Sequence, residues 1–351
     1  MKRIKVQFLK ICLLYVSVIF IAGCEHEDNL PSDNDLPGSL NPGVFIINEG
    51  NIGWGNGSVS FFDFTESKVY NHLFQKANNR VLGDVPQSMF IMDGLGFIVV
   101  NNSGKIEVVN MEDFSSVNTI TGFSSPRYFL PVCDSIAYIS DLYSDLISQV
   151  NLNDYTITET INTRMSTEQM KRIDDEVFVA NWMDGNKILV INPIVGEIID
   201  SIEVIIEPNS MVIDKNQKLW VLCSGGYLNE EMPGILRIDP GTREIEETIR
   251  FNEQESSPSH LCINGLGDTL YFLNNGIFQM LVTDTEIPSE PFVQTEKSYY
   301  NIGIDPEKGI IYAADAVDYQ QKGKVFRYLP DAALKDSFDV DIIPGSFVFN
   351  W

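Results

Sequence analysis

Histidine is nearly missing from this chain: there are three in 351 residues, with five cysteines, and 24 lysines and arginines stand against 49 aspartates and glutamates. Each shortage excludes something. His26 lies in an acidic, proline-containing stretch while His72 and His260 are far apart, so a histidine-based metal centre has no support. No C-x-x-C, H-x-x-x-H or G-x-S-x-G occurs, which removes the usual zinc, redox and serine-nucleophile signatures. A formal charge of −25 repels phosphate backbones and no basic stripe is present, so nucleic acid is not expected as a partner. The apolar run ICLLYVSVIFIA is too short to span a bilayer. Helix is expected to play almost no part, with one turn each in STEQMKR (166–172) and PDAALKDS (330–337).

The apolar run is informative in another way. Lys2, Arg3, Lys5 and Lys10 precede it and IAGC, Ile21 to Cys24, ends it, which is the order of a secretory leader. The ending resembles the lipobox of bacterial lipoproteins. That resemblance implies a signal peptide over 1–23, cleavage after Gly23, and a lipidated Cys24 that anchors the chain to a membrane through its acyl chains alone. Residues 24–42 carry five carboxylates, three prolines and few apolar side chains, so they read as a flexible acidic tether. Acid directly behind the cysteine resembles the surface-export signal of Bacteroidetes-type lipoproteins, which implies display on the outer face of the outer membrane. Loss of four basic and no acidic residues with the leader takes the net charge to about −29. Of the remaining cysteines, Cys133, Cys223 and Cys262 are odd in number and lie in or beside apolar runs, so buried thiols are expected rather than a disulfide framework.

The rest, 43–351, is repetitive. Strand-like runs GVFIIN, GFIVVN, SIAYIS, EVFVAN, KLWVLC, TLYFLN and GIIYAA recur along the chain, each followed by a second run such as SVSFFDF, KIEVVNM or KILVINP. Outer strands with alternating polar and Ile positions follow in NTITGF, TITETIN, IIDSIEV and EIEETIRF. Most units open on proline, as in PQSMFI, PRYFLP, PNSMVI and PSHLCI. The gradient from apolar to amphipathic within each unit is that of a four-stranded blade, and seven units make an all-β, seven-bladed β-propeller. The first unit lacks a Pro-led strand, while IIPGSFVFNW ends the chain with one to spare. The C-terminal strand is therefore expected to complete the first blade and close the ring, which removes open sheet edges.

In such blades the loops between the second and third strands share a face with the inter-blade connections. Asn101, Asn181 and Asn274, with Asn48, fall in register at the strand ends there, and a polar collar around the axis is expected. The plainer alternative is that Asn simply suits strand ends. Three loops are long: NEGNIGWGNG with Asn51 and Trp54, CSGGYLNEEMPG with Tyr227, and DAVDYQQKGK with Tyr319. Tyr143 and Trp182 lie on shorter loops, and Arg80, Arg127, Tyr299 and Tyr300 on inter-blade segments. Aromatic groups with polar tips suit binding surfaces, although each could instead pack its own loop. Trp54 is expected to be the group the first loop presents over the axis. DLYSD and DAVD offer carboxylates to Ca²⁺, but their spacing does not match an EF-hand and acidic loops are usually just solvated.

The repeats resemble those of the seven-bladed YVTN-type (YncE-like) propellers, and VFIINEGNIGWGNGSVSFFDF resembles the N-terminal signature of Bacteroidetes surface lipoproteins with such a propeller. Lipoproteins of this appearance include cobalamin-binding propellers that cap a TonB-dependent transporter. The resemblance implies a noncovalently held corrinoid, an outer-membrane transporter as partner, and no enzymatic activity. Glycan binding or adhesion is the alternative, and a propeller lactonase or other hydrolase a more distant one, because it would need a metal or an acid/base pair on the axis.

Overall fold

The computed structural model describes residues 35–183 and 185–351. The leader, Cys24 and the first part of the expected tether lie outside them. The described strands form seven antiparallel sheets arranged as a seven-bladed β-propeller. Blade 1 joins Pro344–Asn350 to Gly43–Asn48, Ser58–Asp63 and Lys68–Tyr70. Blade 2 is Pro86–Met92, Leu95–Val100, Lys105–Asn110 and Ser116–Thr121. Blade 3 is Pro126–Cys133, Ile136–Asp141, Leu146–Asn151 and Thr156–Asn162, and blade 4 is Met170–Ile173, Glu176–Asn181, Lys187–Asn192 and Glu197–Glu203. Blade 5 comprises Pro208–Ile213, Leu219–Cys223, Gly234–Ile238 and Ile245–Arg250; blade 6 has Ser259–Ile263, Thr269–Leu273 and Ile277–Leu281. Asn301–Ile304, Ile311–Asp315, Lys324–Tyr328 and Leu334–Asp339 make blade 7.

Side chains alternate across a strand, so a second strand that is apolar at every position must have protein on both sides. Phe45 and Ile47 pack toward blade 2 with Ile98 and Val100, while Val44 and Ile46 pack toward blade 7 with Tyr312 and Val325. The same division recurs at blade 4, where Val177 and Val179 face blade 3 and Phe178 and Ala180 face blade 5. The core is thus a ring of inter-blade layers. The third strands retain some polar positions, and the fourth strands are largely exposed.

Closure follows the sequence expectation. Pro344–Asn350 pairs antiparallel with Gly43–Asn48, from Gly43 opposite Asn350 to Ile47 opposite Ser346. The Glu49 and Gly50 amides continue the ladder by donating to the carbonyls of Ile343 (2.8 Å) and Ile342 (3.0 Å). The end of the expected tether also joins blade 1. Leu40 is buried in the blade 1–blade 2 layer, and the Asn350 side-chain amide donates to its carbonyl at 2.8 Å.

Four expectations need correction. Blade 6 has three strands rather than four, and its outer position holds only an isolated bridge between Ile277 and Val293. Pro288 and Pro291 in that segment remove ladder donors, which explains the loss. Neither expected helical turn forms: residues 166–169 are irregular, and Met170–Ile173 and Leu334–Asp339 are strands. The single α-helix among the described residues is Leu73–Asn78, where buried Leu73 and Phe74 seal the blade 1–blade 2 layer. Cys223 is buried as expected and Cys262 partly so, but the Cys133 thiol is exposed because it ends its strand.

Candidate functional site

The first strand of each blade lines the central channel and starts at the loop-bearing face. In five blades that strand loses register with its neighbour just at the start: after Pro86, Pro126, Pro208, Ser259 and Pro344. A bulge adds an unpaired residue and re-aims its side chain. The residues skipped by the pairing are Gln87, Arg127 with Tyr128, Asn209, His260 with Leu261, and Gly345. All of them line one cavity of about 770 Å³ at the channel mouth. Repeated prolines therefore place a repeated irregularity, and the irregularity builds the site.

Charge at the mouth is held in one cluster. The Arg127 guanidinium donates through Nε to both Glu168 oxygens (3.0 and 2.8 Å), through Nη2 to Glu168 (2.7 Å), and through Nη1 to the Gln87 carbonyl oxygen (2.7 Å). Burial opposes its charge, but the Glu168 carboxylate outweighs burial and holds the guanidinium above its ordinary pKa. Trp182 stands beside this pair, its ring centroid 5.9 Å from the Arg127 Cζ. Glu49 accepts the Tyr300 hydroxyl at 2.9 Å, and burial raises its pKa. Burial also pushes the Tyr128 hydroxyl up to about 12 and drops the His260 imidazole to about 4. His260 is therefore a neutral ring at pH 7; its Nδ1 lies 3.0 Å from the Ser259 hydroxyl. From it an aromatic line runs from blade 6 to blade 7, with Tyr300 at 6.4 Å and Tyr319 edge-on to Tyr300 at 5.8 Å; the Tyr319 carbonyl accepts the Asn51 side chain of blade 1 at 2.6 Å.

Of the residues the sequence nominates, Asn101, Arg127, Tyr143, Trp182 and Tyr300 line the cavity. Asn51 and Tyr319 sit behind Tyr300 as its support. Trp54 and Tyr227 are exposed but outside the cavity wall, at 62% and 87% accessibility. In the first loop it is Ile52 that reaches the wall, because the Gly53 amide donates to Asp84 at 2.8 Å and pins the loop tip to the blade 1–blade 2 connection. Gly50 starts that loop at φ +70°, where a Cβ would meet the Asn56 Oδ1 at 2.4 Å, so only glycine closes it. Arg80 is turned away into an ion pair with Glu107, over the Phe74 ring.

The expected asparagine collar serves a different purpose. The Asn101 amide donates across blades to Ser125 Oγ (2.8 Å) and the Pro126 carbonyl (3.0 Å); Asn181 donates to the Ser166 carbonyl (2.7 Å). Asn48 bonds within blade 1, and Asn274 lies outside the cavity wall. These side chains hold connections in place more than they face a ligand. Sequence reading missed Gln87, Asn209, His260, Glu168 and Ile52. The first three were marked by one signal, a polar residue one or two places after the repeated proline or serine of the inner strand. Among the described residues no group of three or more His, Cys, Asp or Glu is arranged to hold a metal.

A protein-family model described as a domain of unknown function, DUF5074, matches residues 42–322. The chain belongs to that family. The DUF5074 match stops before the last two strands of blade 7 and the closing strand of blade 1. Among solved structures, a quinoprotein alcohol dehydrogenase-like protein from Bacteroides thetaiotaomicron superposes with a TM-score of 0.68 at 14% identity, over 88% of this chain and 78% of that one. A functionally unknown protein from Desulfotomaculum acetoxidans gives 0.67 at 11% identity, over 88% and 99%. Hydrazine synthase from Kuenenia stuttgartiensis gives 0.59 at 14%, over 74% and 88%. At these identities the likeness shows the fold alone. No curated protein matches the chain.

Proposed function

We propose that this DUF5074 chain is a lipid-anchored surface module that binds a large, amide-rich small molecule at the channel mouth, with a corrinoid such as cobalamin the specific candidate. The observation that carries the reading is the set of bulged rim residues converging on one open cavity of about 770 Å³. That size lies within the usual range for small-molecule sites. Gln87, Gln169, Asn209 and Asn301 supply amide groups along the wall, while Trp182, Tyr143 and Tyr300 supply flat contact area. A ligand larger than the cavity would rest its remainder on the exposed loop residues above.

The same geometry favours holding over chemistry. Glu168 is committed to Arg127, His260 has its proton affinity suppressed by burial, and Glu49, though raised by burial, is engaged by the Tyr300 hydroxyl. The exposed apolar groups of the loop face, Trp54, Tyr227, Leu228 and Val317, give a surface against which a TonB-dependent transporter would dock. Oligosaccharide binding is the second reading, favoured by the exposure of Tyr143 at the cavity edge. Calorimetric titration of the unlipidated mature chain with cyanocobalamin, a panel of oligosaccharides and Ca²⁺ tests these readings. Heat with the corrinoid alone is expected. No heat with any corrinoid at micromolar protein overturns the corrinoid reading, and heat with a sugar promotes the second.

A further inference from the structure

Below the rim, the pairing of first and second strands defines an equivalent position in each blade, and Lys171, Val212, Cys262 and Ile304 line the cavity from it. Opposite Ile98, Ala137, Phe178, Trp220, Tyr271, Ile311 and Phe45 stand Met89, Pro131, Lys171, Val212, Cys262, Ile304 and Val348. Six of these seven positions are uncharged and largely apolar. The seventh is a lysine. It lies three residues after Glu168 and lines the cavity with Met211, Leu261, Ile302 and Phe347.

Lys171 makes no hydrogen bond or ion pair among the described residues. The other cation of the wall, Arg127, is satisfied by Glu168, and Glu49 is held by Tyr300. Enclosure by protein depresses the Lys171 ammonium below its ordinary pKa, and the one other titratable group acting on it is the Cys262 thiol, itself pushed up to about 12 by burial. Lys171 is partly exposed toward the cavity, but a partly desolvated cation without a counter-charge still costs stability, which a methionine or leucine at that position would not. A chain with more than twice as many acidic as basic residues has nevertheless set an unpaired ammonium facing the cavity at the channel mouth.

We propose that the channel floor is an anion subsite, in which Lys171 receives a carboxylate or phosphate group of a molecule that enters through the rim. This rests on the reading of the rim cavity as a ligand site. The ammonium supplies donors and the charge, and the apolar side chains beside it, Met211, Leu261, Ile302 and Phe347, offer it no competing acceptor. An anion bound there favours the charged form of the lysine, so binding and protonation reinforce one another.

The test uses the mature chain with sodium acetate or inorganic phosphate as probes, against sodium chloride at matched ionic strength. Lys171→Met is expected to keep or raise the thermal midpoint without probe. Either probe is expected to raise the wild-type midpoint by a few degrees and to leave Lys171→Met unmoved. In wild-type protein carrying ¹³Cε-lysine, the Lys171 resonance, assigned by its absence in the variant, is expected to titrate at higher pH when the effective probe is present. This second readout does not depend on the variant folding. The probe that acts identifies the anion as carboxylate or phosphate. Equal midpoint shifts in both proteins, or a Lys171 titration unmoved by either probe, overturns the subsite. A corrinoid binding wild type and variant alike, with both probes inert, overturns the subsite and leaves the rim reading standing; a probe response without corrinoid binding does the reverse.

Discussion

The channel rim and the loop crown above it are built by opposite means. At the rim, side chains are enclosed, aimed by strand bulges and locked by ion pairs, as in the contact of Arg127 with Glu168 and Gln87. In the crown, Trp54, Tyr227 and Leu228 are largely exposed on loops shaped by glycine. The rim is preorganised, and under the proposed function its groups would serve stability and recognition together. The crown contributes contact area at almost no cost to the fold. On the proposed reading, in which the rim takes the ligand and the crown meets a transporter, keeping the two apart lets each be shaped for its own task.

Breaking the rim should show the largest effect. Glu168→Ala leaves the Arg127 guanidinium enclosed without its partner and is expected to cost about 3–5 kcal/mol in urea unfolding. The double variant Arg127→Met, Glu168→Leu should recover most of that loss, because an apolar pair of similar volume carries no unpaired charge. A loss below about 1 kcal/mol for Glu168→Ala would place the rim with the crown as a solvated surface.

Acid should sharpen the same contrast at a smaller scale. His260 is held near 4 in the native chain against an ordinary value of 6.5, so between those values the unfolded chain binds a proton that the native chain refuses. This component of stability is lost as pH falls from about 6.5 toward about 4 and is constant below. His260→Gln should flatten that part of the unfolding free energy against pH, and an unchanged slope would show that the ring is not enclosed. The smallest effects belong to the crown. Trp54→Ala and Tyr227→Ala are each expected within about 0.5 kcal/mol of wild type in thermal unfolding. A larger loss in either would mean that the aromatic packs its loop.

The contrast also separates what sequence could reveal from what it could not. Blade count, closure by PGSFVFNW and the two-sided burial of runs such as VFIIN follow from period-2 patterning, which the inter-blade layers obey residue by residue. Blade 6 was misjudged because the prolines at 288 and 291 act on a strand whose apolar pattern is weak. The site was legible where residue type alone suffices, as with Arg127, Trp182 and Tyr143. Bulges were not, since a one-residue register shift leaves composition unchanged while turning Gln87, Asn209 and His260 into the channel. Lys171 was obscured for a related reason: STEQMKR reads as a helical turn, and only strand pairing places its lysine on the inner strand of blade 4.

The central claim is that ligand is held at the rim cavity rather than on the crown, and one paired titration tests it most directly. Tyr143 and Tyr227 are both exposed tyrosines of the loop face, but only Tyr143 lines the cavity. Cyanocobalamin titrated calorimetrically into Tyr143→Ala should bind about tenfold more weakly than into wild type, a difference of about 1.4 kcal/mol, and into Tyr227→Ala within about twofold of it. The reverse order, or equal losses in the two variants, would contradict the account.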